Sequence, residues 1–173
     1  HDRMLARALV LDDGTTPLAI VAIDVANISD ERADQVRRLV AEQVPIPPQN
    51  ILLNCSHTHT TPWTGRTIGD RRGTTMTAGH LAYLDSFPYY VAGAIMEAWH
   101  HRVPARIGSA SVEIPGVSTN RRDPSLPVDA EAGVIRVDDS AGQPIACLVN
   151  YACHGTSVGA HYLEWTADFA GFL

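Results

Sequence analysis

Apolar and polar positions follow two different periods along this chain, and the changes between them outline its elements. Met4 to Leu11 is apolar apart from Arg7, and Leu18 to Val25 is a nearly continuous run of leucine, alanine, isoleucine and valine broken by Asp24. Asp12-Asp13-Gly14 between them is a turn signal, so the pattern predicts two strands joined by a hairpin. The second strand is expected to be buried on both faces. Ser29 is a strong N-cap residue, and Asp30 and Glu31 place negative charge in the first turn of a helix. Ala33, Val36, Val40 and Val44 recur at helical spacing until Pro45, Pro47 and Pro48 stop the helix. Asn50 to Cys55 predicts a third strand, which runs directly into Ser56-His57-Thr58-His59.

Thr60 to Gly79 shows no period and is rich in threonine, glycine and arginine. A loop of that length in a compact domain is usually functional. Val91, Ala94, Ile95, Ala98 and Trp99 form the clearest helical stripe, with Pro88 expected at its start or at a kink. Pro104 to Ile114 predicts a strand, and Asn120 to Pro127 a proline-punctuated loop. Gly133–Val137 and Ile145–Asn150 flank Asp138–Gly142 as a hairpin. A final helix is expected to begin near Ala167. The order predicts an α/β fold, a mixed β-sheet flanked by helices in a layered sandwich. In such folds, sites gather where strands end.

Composition narrows the functional classes. The chain has 173 residues, 45% hydrophobic and 18% charged, which describes a folded domain rather than a disordered segment. Its 13 basic residues, all arginine, face 19 acidic ones, for a net charge of −6. An acidic chain with scattered arginines lacks the footprint of a nucleic-acid binder. The absence of lysine excludes Schiff-base chemistry within these residues. No apolar run approaches the roughly 20 residues of a transmembrane helix. Cys55, Cys147 and Cys153 do not form a disulfide framework, and Cys147, inside an apolar run, reads as a small buried hydrophobe.

The chemistry then concentrates at strand ends. Asp24 closes the second predicted strand, His57 and His59 the third, and His154 the last. On extended backbone, residues i and i+2 point the same way, so His57 and His59 can aim two imidazoles at one volume. A catalytic zinc takes about three protein ligands, and histidine is its commonest partner, so a His-x-His pair with a distant third histidine is a candidate metal site. Asp24 has two readings, a partner that orients a ligand histidine or a strand-end cap. His100 and His101, at a helix end, read as carbonyl caps.

These residues also carry a family resemblance. Asp2 with Ala6–Leu11, Ile20–Asp24, Ser56-His57-Thr58-His59 with Pro62, Asn120-Arg121 and Asn150-Tyr151-Ala152-Cys153-His154 occur in one order. So does helix Val91–Trp99 followed by Arg102–Arg106. Together with His1 before Asp2, this set resembles the neutral/alkaline (non-lysosomal) ceramidase family. The match spans nearly the whole chain and part of that family's catalytic domain, so residues 1–173 are expected to be one partial catalytic domain. The resemblance implies a zinc amidase that cleaves the N-acyl bond of ceramide or a related N-acyl lipid. It implies His57 and His154 as zinc ligands, His59 beside the water and the reacting amide, and Arg121 against the substrate's polar end or the tetrahedral intermediate. Two further ligands and an essential serine are expected beyond Leu173. A lipid substrate implies contact with a membrane surface, and the family implies secretion or a periplasmic location. The sequence departs from the family at Thr60–Thr64, where Trp63 is bulky, and at Arg122-Asp123-Pro124 after Asn120-Arg121. Both departures lie in substrate loops and bear on ceramide as the substrate.

Three other readings are distinguishable. A cysteine hydrolase would pair Cys153 or Cys55 with a histidine, but adjacent strand residues face opposite ways, which sets Cys153 badly against His154. A binuclear metallohydrolase on an eightfold barrel would need regularly repeating strand–helix units. A non-catalytic binding domain would keep the fold without the reaction.

Overall fold

The structure, a computed structural model, describes residues 2–65, 76–159 and 161–172. His1 and residues 66–75 of the long predicted loop lie outside them. The chain forms two compact units, His1–Arg102 with Gly155–Leu173, and Val103–His154.

In the first unit, β1 (Ala6–Leu11) and β2 (Leu18–Ile23) pair antiparallel from Ala6↔Ile23 to Leu11↔Leu18. Asp12 and Asp13 build the turn between them. Asp12 Oδ1 accepts the Gly14 amide, and Asp13 Oδ1 accepts those of Thr15 and Thr16. Gly14 has a φ of +83°, a conformation that disfavours a side chain. β3 (Ile51–Cys55) pairs parallel to β2, with Ile23 opposite Cys55. That parallel pairing requires a crossover, which α1 (Asp30–Ala41) supplies. Ser29 Oγ caps α1 by accepting the Arg32 amide, as its sequence position implies. Ala33, Val36 and Val40 are buried, and Val36 and Val40 join Ala19, Val21 and Ile23 of β2 in one core. Only that face of β2 is fully buried, and Ala22 on the other is exposed, which corrects the two-sided burial expected for this strand.

The second helix, α2 (Ala78–His100), is 23 residues long and starts ten residues before Pro88. Thr77 is its N-cap and accepts the His80 amide. Pro88 has no amide to offer the Leu84 carbonyl one turn back. Arg32 of α1 fills that vacancy, its Nε donating to Leu84 O at 3.3 Å. A neighbouring helix thus repairs the break, so the proline lies inside the helix rather than at its start. His101 ends α2 as a carbonyl cap, Nδ1 donating to Glu97 O at 2.9 Å. Phe87, Val91, Ala92 and Ile95 complete the core.

The second unit is an antiparallel sheet of β4 (Ala105–Glu113), β5 (Glu131–Asp139) and β6 (Pro144–Tyr151), with β5 in the middle. Asp139 Oδ1 accepts the amides of Ala141 and Gln143 in the β5–β6 turn, where Gly142 has a φ of +83°. The α/β prediction holds, and the strands form two three-stranded sheets, a mixed β1–β2–β3 sheet and a separate antiparallel one. The physical reason is locality: β5 takes both its partners, β4 and β6, from the chain on either side of it. Cys147 on β6 is exposed, contrary to its reading as a buried hydrophobe. The last element is a short 3-10 turn, Asp168–Phe172, in place of the helix expected near Ala167.

Candidate metal centre

Because β2 and β3 are parallel, both end at the same edge of the first sheet, and the segments that follow them run side by side. The Ser56 amide donates to Ile23 O and the His57 amide to Val25 O, which continues the pairing past the strands. His57 then turns into the left-handed region, with a φ of 61°. For a residue with a Cβ this conformation costs about 1–2 kcal/mol, so something must hold it. The His57 ring does so by donating from Nδ1 to the Ala26 carbonyl. A carbonyl only accepts, so in the neutral ring Nδ1 carries the proton and Nε2 keeps its lone pair.

That lone pair points at His59. The two Nε2 atoms are 3.3 Å apart, and the rings meet edge to face with centroids 4.8 Å apart. The imidazoles converge as the His-x-His spacing implies, but by another route. The backbone is bent at His57, not extended as the spacing alone predicts. Two ring nitrogens this close can share a proton, or set one imidazole beside an ion that the other holds.

The chain re-enters the first unit at Gly155, directly beneath this turn. Gly155 O accepts the His59 amide at 3.3 Å. A Cβ on Gly155 would lie 2.9 Å from His57 O and 3.0 Å from Thr58 Cα, so glycine is required here for space. Thr58, fully buried, donates from Oγ1 to Thr166 O at 2.7 Å, and Thr60 Oγ1 reaches the same carbonyl at 3.1 Å. Asp168, 1% exposed, accepts Ser157 Oγ at 2.6 Å, the Ser157 amide at 3.0 Å and its neighbour Phe169's amide at 2.7 Å. Burial pushes its carboxyl up, but the hydrogen bonds from Ser157, Phe169 and Val158 outweigh it and hold the group below the usual aspartate range.

In the second unit, His154 follows β6, and Arg121 Nη1 lies 3.4 Å from its Nδ1. Two residues assigned to the site by resemblance are therefore neighbours. The Arg121 loop is folded by Asn120, whose Oδ1 accepts the Arg122 and Asp123 amides.

Asp24 is resolved between its two readings. It is 2% exposed and accepts the Leu5 amide at 3.0 Å and Arg7 Nη1 at 3.2 Å, while its own amide donates to Leu5 O. It is a strand-end clamp on the chain entering β1, and the Ala26 carbonyl, which has no sequence signature, orients His57. Cys153 Sγ lies 3.9 Å from the His154 carbonyl, and burial pushes the Cys55 thiol up to about 11. Neither cysteine resembles an activated nucleophile. His80, without context in the sequence, bonds from Nε2 to Trp63 O at 2.7 Å and fastens the start of α2 to the loop after His59.

With this geometry in place, comparison with solved structures is decisive for the architecture. A neutral ceramidase from Pseudomonas aeruginosa superposes with a TM-score of 0.85 at 21% identity, over 99% of this chain and 30% of that one. The chain has the fold of the neutral ceramidases. A ceramidase complexed with C2 agrees, with a TM-score of 0.84 at 20% identity, over 98% of this chain and 29% of that one. The chain thus spans less than a third of the length of these ceramidases. No family model and no curated protein matches the sequence. Among the described residues, no helix is long and apolar enough to cross a membrane.

Thr58, Gly155, Ser157, Thr166 and Asp168 are the site-supporting residues that sequence reasoning missed. Four of them are small polar or glycine residues outside any periodic segment. The fifth is one acid among 19, and no pattern distinguishes it from a surface aspartate.

Proposed function

We propose that this chain carries part of the active site of a zinc-dependent amide hydrolase acting on a ceramide or related N-acyl lipid. The observation that carries the reading is the convergence of the His57 and His59 ring nitrogens to 3.3 Å, in a chain with the ceramidase fold. The donor set fits zinc: His57 is held in the tautomer whose Nε2 carries the lone pair, and His57, His59 and His154 each offer a ring nitrogen. In this reading His57 and His154 hold the ion.

Bound zinc would supply Lewis acidity, polarising the amide carbonyl and lowering the pKa of a water to about 7. His59 Nε2 takes the proton from the attacking water and returns it to the leaving amine, so amide and water become a carboxylic acid and an amine. Such relays contribute roughly 10²–10⁴-fold. Arg121 presents fixed donors to the developing oxyanion or to a hydroxyl-bearing head group. A lipid substrate brings the protein to a membrane surface from outside the cytoplasm, by secretion or in a periplasm.

The test is metal analysis of the purified protein beside hydrolysis of a fluorescent N-acylsphingosine with and without chelator. About one zinc per chain is expected, with loss of metal and activity in the H57A/H154A variant. A folded protein that binds no zinc, or a variant that keeps it, overturns the metal assignment. Zinc binding with hydrolysis of other N-acyl amides alone would replace ceramide as substrate.

A further inference from the structure

A carboxylate, Asp168, is buried in the segment that follows His154, and the zinc chemistry itself does not use it. We propose that Asp168 is a positioning residue of the histidine site, holding the Gly155–Val158 segment so that the His57–His59 turn is fixed from below. The proposal rests on the zinc reading and extends it to a residue that touches neither substrate nor metal.

The contacts close into a ring. Asp168 Oδ1 and Oδ2 receive Ser157 Oγ and the Ser157 amide, fixing the segment two residues after Gly155. Gly155 O receives the His59 amide, and its Cα faces the His57 carbonyl. In the other direction, the Asp168 amide donates to Thr166 Oγ1 at 3.1 Å. The Thr166 carbonyl receives Thr58 Oγ1 and Thr60 Oγ1, and its amide donates to Thr60 O at 3.3 Å. The histidine turn is thus gripped on both sides by one segment whose central anchor is a carboxylate.

Two features separate this from ordinary loop stapling. Asp168 is 1% exposed and adopts a φ of 56°, so the fold bears both a buried charge and a left-handed backbone at one residue. The other left-handed residue with a side chain among those described is His57 itself. The two strained residues lie at opposite ends of one hydrogen-bonded ring. A carboxylate accepts several donors at once without offering any, which suits a junction where three amides and a hydroxyl converge. Partners that bond a metal ligand directly are worth about 10–100-fold in metal affinity, and Asp168, which acts through Ser157 and Gly155, is expected at the low end of that range.

The experiment uses zinc affinity, by competition with a chromophoric chelator, and the visible spectrum of the cobalt(II)-substituted protein. Zinc binding by the unaltered protein is measured first, and its absence overturns the zinc reading and, with it, this proposal. Given zinc binding, D168N retains size and tolerance of positive φ but presents one acceptor oxygen to the converging donors. It should bind zinc about tenfold more weakly and show shifted cobalt bands. S157A, milder, should weaken zinc severalfold in a protein with unaltered circular dichroism. If D168N fails to fold, S157A decides alone. Wild-type affinity and cobalt spectrum in the folded variants leave the zinc reading intact and overturn the role of Asp168.

Discussion

The vacancy at Pro88 makes a quantitative prediction about how the two helices are joined. Arg32→Met removes the donor to Leu84 O while keeping an apolar stem and the backbone amide that Ser29 caps. A hydrogen bond from a charged donor to a carbonyl contributes about 1.5–3 kcal/mol, and partial exposure of Arg32 reduces this to about 1–2 kcal/mol. Arg32 also reaches Thr64 O at 3.5 Å, a contact too long to add much. Pro88→Ala restores an amide to the Leu84 carbonyl and relieves a helix-interior proline, a gain of up to about 3 kcal/mol. Against this, Pro88 is fully buried, and losing two methylenes costs about 0.8 kcal/mol each, with a cavity cost on top. P88A should therefore be nearly neutral. In the double variant the Leu84 carbonyl already has its partner, so R32M should cost about 1 kcal/mol less than in the parent. Urea unfolding of the four proteins, with equal m values, measures that coupling. Additivity within about 0.3–0.5 kcal/mol would show that Arg32 does not stand in for the missing amide.

Two other outcomes test the site. Gly155→Ala forces a Cβ to 2.9 Å from His57 O, and since the neighbour is backbone it must move. The expected cost is about 1–3 kcal/mol of stability, with weakened zinc binding, read by melting and chelator competition; unchanged zinc affinity would mean the turn is not supported from Gly155. Burial raises Cys55 to about 11, so near pH 8 iodoacetamide should label exposed Cys147 and spare Cys55, with hydrolysis unaffected by alkylation and abolished by chelator. The same raised value predicts stability that is full below about pH 8.5 and falls as pH rises toward 11, a loss that Cys55→Ala should remove.

Much of this architecture is legible in one dimension because burial and period coincide. Ala33, Val36 and Val40 lie on the predicted stripe, Ser29 caps where its position implies, and β4 differs from the predicted strand by one residue at each end. The start of α2 was not legible, since Pro88 signals a boundary unless a distant side chain replaces its hydrogen bond, and Arg32 is 56 positions away. The burial of Cys147 failed because an apolar run reports strand propensity without saying which face is covered.

The site divides along the same line. His57, His59 and His154 stand out because a His-x-His pair and a third histidine each follow a predicted strand, where sites gather. What orients them does not stand out, because it is backbone. The parallel register that sets Ile23 against Cys55 carries Ala26 alongside His57, and its carbonyl would serve equally well with any side chain at position 26. A one-residue slip of β3 would turn its side chains to the opposite face and take the His57 ring away from that carbonyl. The geometry of the histidine pair is therefore a property of the β2–α1–β3 crossover. The valines and isoleucines that fix the register of β2 and β3 help to set the tautomer of His57, although none of them touches the ring.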